Sequence, residues 1–148
     1  MITISRLFAK EIRSVFRRAL QITASHNDQI VWLLADDTGL RVRAQDHHAI
    51  AEHHQPGKVA PDSLPVTMES LAACEGTKAD EFVSVELRAN GAVVLRWEDR
   101  SIPQSFQVDA KKVRADPSPA LPETWSNNPP RLLNAISDAM KILPGSVI

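Results

Sequence analysis

One order of hydrophobic patterns occurs twice in this chain, and it limits the fold more than any single motif does. The first pass opens on a short strand pattern, Ile2-Thr3-Ile4, and runs into a helical pattern from Leu7 to Ile22. There Leu7, Phe8, Ile12, Val15, Phe16, Ala19 and Leu20 recur at three- and four-residue steps, with Ser5 upstream as a cap. Three strand patterns follow: Gln29 to Ala35, Leu40 to Gln45 beyond a DDTG turn, and His47 to His54, with Pro56-Gly57 closing the block. The second pass runs from a strand at Val66 into a short helix, Met68 to Glu75, which Gly76 stops. Strand patterns then cover Glu81 to Leu87, Ala92 to Trp97 after an Asn-Gly turn, and Ile102 to Val108. Each pass reads β-α-β-β-β. ITISRLF lies over VTMESLA at an offset of 64 (66 − 2), and Leu40, Val42, Ala44 and Asp46 lie over Val93, Leu95, Trp97 and Asp99 at 53 (93 − 40).

The two passes together predict one domain over residues 1–112, with halves 1–57 and 62–110. Residues 113–130 read as a linker, because the prolines of PSPALPETWSNNPP deny backbone donors and bias the chain to extended forms. Beyond it, residues 131–148 carry a helical pattern with a broad apolar face: Leu132, Leu133, Ala135, Ile136, Ala139, Met140, Ile142 and Leu143. Ile12, Val15, Phe16, Ala19, Leu20 and Ile22 meet Leu132, Ala135, Ile136, Ala139, Met140 and Ile142 at an offset of 120 (132 − 12). The final helix is therefore expected to begin another copy of the domain.

Composition narrows the class. Hydrophobic content of 43% with 24% charged residues predicts a soluble globular protein, and no apolar run reaches the length of a membrane span. Charges threaded through MITISRLFAKEIRSVFRR are unlike a secretory signal, which predicts a cytoplasmic protein. With Cys74 as the sole cysteine, one chain builds neither a disulfide framework nor a cysteine-based zinc site. A net charge of −1 gives the chain as a whole no attraction to polyanions, so any nucleic-acid contact must come from a local patch.

Such a patch is present on the first helix, where Arg6, Lys10, Arg13, Arg17 and Arg18 face only Glu11 as an acid. Lys10, Arg13 and Arg17 fall at three- and four-residue steps opposite the apolar stripe, a row able to follow a phosphate backbone, or else an ordinary solvated face. Glu69 and Glu75 put negative charge on the second helix, which Lys78 partly offsets. In the histidine cluster, Glu52, His54 and His48 share a strand face by alternation, but His47, His48, His53 and His54 match no metal spacing, and no metal is assigned. Cys74 closes an apolar short helix and reads as a buried, inert thiol. No nucleophile elbow, phosphate-cradling glycine loop or paired acidic motif is present, so the chain reads as a non-enzyme. Trp32 and Trp97 lie in apolar strands and read as core, whereas Trp125 lies in the linker.

Two β-α-β-β-β halves in a domain of this size, followed by a connector and the start of another, resemble the sliding clamps of DNA polymerases, the bacterial clamp most of all. SRLFAKEIRSVFRRAL looks like a clamp's first helix, DDTGLRVRAQDHHAIAEHH like its strand, hairpin and strand, and LPVTMESLAACEG like the helix of the second half. The resemblance implies an α+β, DNA-clamp-like fold with two helices on one face, antiparallel sheets on the other, and Leu7, Val15, Phe16 and Leu71 buried together. It implies weak, sequence-independent contact with duplex DNA through Lys10, Arg13, Arg17 and Arg18. It further implies self-association or additional clamp domains, and polymerase or repair proteins as partners, with no catalytic residues, cofactor, metal or membrane contact. The peptide-docking pocket of bacterial clamps uses later domains that this sequence does not contain. The alternative is a protein-interaction module that keeps the fold without binding DNA.

Overall fold

Ser5 ends the first strand and starts the first helix. Its extended backbone (φ −78°, ψ 152°) turns the chain out of β1 (Ile2–Ser5), and its hydroxyl accepts the Phe8 amide at 3.0 Å, capping α1 (Arg6–Ala19). Thr67 does the same between β5 (Asp62–Thr67) and α2 (Met68–Cys74), here as a reciprocal box in which Thr67 and Ser70 each accept the other's amide, at 3.1 and 3.0 Å. The remaining strands are β2 (Ile30–Asp36), β3 (Gly39–Gln45), β4 (Ile50–Pro56), β6 (Phe82–Leu87), β7 (Val93–Asp99) and β8 (Ile102–Val108). The computed structural model describes residues 1–22, 28–45 and 49–109, together with Pro129, Arg131, Leu132, Asn134, Ala135 and Asp138.

All strand pairs are antiparallel, in two four-stranded sheets ordered β1-β6-β7-β8 and β4-β3-β2-β5. Each β-α-β-β-β stretch thus gives its first strand to the other stretch's sheet: Ile2 and Ile4 pair with Val85 and Val83, while Val66 and Leu64 pair with Val31 and Leu33. Neither stretch completes its own sheet. The core lies between the sheets and the two mutually packed helices, with Phe16, Leu33, Val42, Leu64, Val66, Leu71, Val83, Val85 and Leu95 at most 1% exposed. Over residues 2–108 the described residues form an α+β architecture of two helices and two antiparallel sheets.

The caps correct the first sequence offset. Ser5 and Thr67 are 62 apart (67 − 5), not 64, so Ile4 corresponds to Val66 and Ala9 to Leu71. A shift of two residues preserves strand alternation, which is why the apolar positions still matched, but it turns a helix by about 200°. Leu7, matched to Leu71 by the wrong offset, is only partly buried, whereas Ala9 is fully buried. Val15 is a second correction. The buried stripe narrows along α1 to Ala9, Ile12, Phe16 and Leu20, leaving Val15 at its margin and 51% exposed. Trp32 is a third: it pairs with Arg43 and Pro65 while its neighbours Val31 and Leu33 point into the core, so its indole lies on the outer face of the sheet. Trp97 packs against the core, and Trp125 lies outside the described residues.

The chain divides into two compact units, Met1–Ser118 and Pro119–Ile148. In the second, Arg131, Leu132, Asn134, Ala135 and Asp138 are helical, and the Leu132 amide donates to the Pro129 carbonyl at 2.9 Å. The other residues of the terminal apolar face, Leu133, Ile136, Ala139, Met140, Ile142 and Leu143, lie outside the described residues.

Candidate nucleic-acid interface

The five cations of α1 do not form one solvated row. Arg6, in the first turn, bends inward and is 8% exposed. Its Nε donates to the Cys74 carbonyl at 3.1 Å and its Nη2 to the Glu75 carbonyl at 3.1 Å, while Nη1 reaches the Glu81 carboxylate at 2.9 Å, the Glu98 carbonyl at 3.2 Å and the Asp99 carboxylate at 3.2 Å. It therefore caps the carbonyl end of α2 and ties it to β7 and the chain entering β6. One local signal was available. A cation in the first turn opposes the helix dipole, and α1 has no acid there. Its partners, about 70 to 90 residues away, could not be read locally.

Arg13 is also engaged. Its Nε and Nη2 donate to one oxygen of Glu75, at 2.7 and 2.6 Å, joining α1 to the C-cap of α2. Arg17 is half-buried, with Nε 3.5 Å from the Ile22 carbonyl. The Lys10–Arg13–Arg17 row therefore follows the flank of α1 that meets α2 and does not lie opposite the apolar stripe. Lys10 and Arg18 are exposed, and their side chains make no hydrogen bond or ion pair among the described residues. With Arg13 neutralised by Glu75, the helix surface sets Lys10, Arg17 and Arg18 against exposed Glu11 and Glu69.

The other candidates take definite places. His53 pairs with Val42 and stays exposed, its ring 5.6 Å from that of Phe8, so an imidazole at the sheet edge lies against the start of α1. Glu52 and His54 share the outer face as alternation requires, but the Glu52 carboxylate is held by Arg43 at 2.7 and 2.9 Å. His47 and His48 lie outside the described residues, and among the described residues no three His, Cys, Asp or Glu side chains converge on a metal-sized site. Cys74 is fully buried, and burial pushes its thiol up to about 12, so it is protonated at neutral pH. Among the described residues no helix is long and apolar enough to cross a membrane. No protein-family model and no curated protein sequence matches the chain.

Proposed function

We propose that this chain is a sliding-clamp-like, non-catalytic cytoplasmic factor that contacts duplex DNA without sequence preference and serves processivity or tethering in replication or repair. The observation that carries this reading is the pair of packed helices set against two four-stranded antiparallel sheets, the arrangement that the resemblance to sliding clamps implies. Lys10, Arg17 and Arg18 then supply the phosphate contacts, held outward while Ile12, Phe16 and Leu20 anchor α1. A factor that encircles DNA holds it by topology, so weak contact suffices. On this reading further domains or copies join at β4 and β8, since contact between the Met1 amino group and Asp62 brings β1 and β5 together at the inner edges.

The test is fluorescence anisotropy with a labelled duplex in a low-salt titration. Wild type should bind near or above the micromolar range, with affinity falling steeply as salt rises. Lys10→Glu, Arg17→Glu and Arg18→Glu together should abolish binding and leave the melting temperature within about 5 °C, because exposed charges contribute little to stability. Equal binding by both proteins, or by neither at the lowest salt, removes the reading.

The Arg13–Glu75 pair makes a separate prediction. Glu75→Gln deletes a carboxylate from the helix surface and frees Arg13, so duplex affinity at low salt should rise by about 2- to 5-fold. Arg13→Ala should erase most of that gain. The same pair favours a second reading, a protein-interaction module of the same fold. That reading takes over if even Glu75→Gln fails to bind DNA.

A further inference from the structure

The outer face of the β1-β6-β7-β8 sheet carries a groove of about 560 Å³. Thr3, Ser84 and Arg96 are register neighbours there and point outward, since Ile2, Ile4, Val83, Val85 and Leu95 fill the core. The next row is more distinctive. Val83 pairs with Trp97 and Glu98 with Pro103, so Phe82 and Pro103 flank Glu98 on the outer face. Phe82 is 58% exposed, an uncommon position for a phenylalanine in a well-packed domain.

The charges around this row are unevenly satisfied. Glu81 is held by Arg6 at 2.9 Å and Lys78 at 3.2 Å, and the Arg96 guanidinium by Glu86 at 2.9 Å. Asp80 and Glu98 also line the groove, and their carboxylates make no hydrogen bond or ion pair among the described residues. A carboxylate between an aromatic face and a proline ring suits a long cationic side chain: the methylenes lie on the rings, and the head meets Glu98 and Asp80 with a cation–π contribution from Phe82. Phosphates and anionic lipid headgroups are repelled from the same place.

We propose that this groove docks a short extended peptide segment of a partner protein, carrying a lysine or arginine beside an apolar residue. The groove runs from Thr3 of β1 to Pro103 and Gln104 of β8, across all four strands, which suits a run of four or five residues. The inference stands apart from the DNA reading, because it concerns the outer sheet face and ligands of opposite charge.

The experiment is an NMR titration of the ¹⁵N-labelled full chain with a five-residue peptide alternating leucine and arginine. A second peptide with glutamate at each arginine position is run beside it. The arginine peptide should give saturable shifts of the Phe82, Ser84, Glu98 and Gln104 amides below about 1 mM. Asp80→Asn with Glu98→Gln should weaken it about 10-fold and Phe82→Ser about 5-fold, whereas Phe82→Tyr, which keeps the ring, should bind like wild type. Charge reversal at Lys10, Arg17 and Arg18 should leave this binding unchanged. The proposal is overturned by the absence of saturable shifts, by equal binding of the glutamate peptide, by full affinity in the Asp80/Glu98 double variant, or by shifts confined to α1. It is also overturned if the same amides shift with protein concentration alone, which would make the occupant a second copy.

Discussion

Replacing Arg6 with alanine is expected to lower the unfolding free energy by about 2–4 kcal/mol and the melting temperature by about 10–15 °C. Its five hydrogen bonds differ in worth. Asp99 and Glu81 have side chains 53% and 33% exposed, so on losing Arg6 they recover water and contribute modestly. The Cys74, Glu75 and Glu98 carbonyls lose donors, two of them at the end of α2, where a seven-residue helix has little else to hold its last turn. A cavity in the packed seam adds to this. Arg6→Lys should recover less than half of the loss, because a single ammonium cannot reach partners arranged for a planar fork. Gly76→Ala should mimic part of it, since an added Cβ would sit 2.9 Å from the Arg6 Cβ and 3.1 Å from its Nε. Urea melts of the three variants decide the matter, and an Arg6→Ala unfolding free energy within about 1 kcal/mol of wild type would show that Arg6 is incidental.

Gly39→Ala is expected to cost about 2–4 kcal/mol, and Gly57→Ala no more than about 0.5. Gly39 holds φ at +142°, and a Cβ there would lie 2.2 Å from the Gln55 carbonyl oxygen and 2.9 Å from the Pro56 Cα. Both obstacles are backbone of β4, so relief requires moving the strand that pairs through Gly39↔Pro56 and carries His53 onto Phe8. The turn before Gly39 is tightly held: the Asp36 carboxylate accepts the Thr38 hydroxyl and the amides of Thr38 and Gly39, and these bonds, the Thr38 hydroxyl foremost, hold its pKa below the usual carboxylate value. Gly57 has nothing within 4 Å of the same hypothetical atom. Thermal melts of the two variants therefore compare one chemical change with and without the close approach. Equal melting temperatures would mean that β4 yields freely.

The cap of α1, the strand alternation and the hairpin turns were legible in the sequence because each depends on residues within a few positions of one another. Ser5 was readable as the cap of α1, and the DDTG turn marked the β2–β3 hairpin. The first offset failed at the point where local information is ambiguous, because two residues do not change the face of a strand but reverse the face of a helix. Trp32 was misplaced for a related reason: in IVWLLAD both faces are apolar, so alternation cannot say which points inward.

Arg6, Arg13 and the outer groove belong to a different category. Nothing near Arg13 in sequence announces Glu75, and nothing near Phe82 announces Pro103; helix packing and strand register bring these pairs together. The sequence by itself determined which segments become strands and helices and in what order, since periodicity, caps and turn residues act over short distances, whereas the ends shifted: α1 stops at Ala19, not Ile22, and β5 starts at Asp62, ahead of Val66. Which sheet β1 and β5 join, which cations of α1 remain free, and which carboxylates stay without a counterion were decided only by tertiary structure. Each depends on where distant segments pack: β1 meets β6 about 80 positions along, β5 pairs with residues of β2 about 30 positions back, and Arg13 meets Glu75 62 positions on, and no periodicity along the chain encodes those separations.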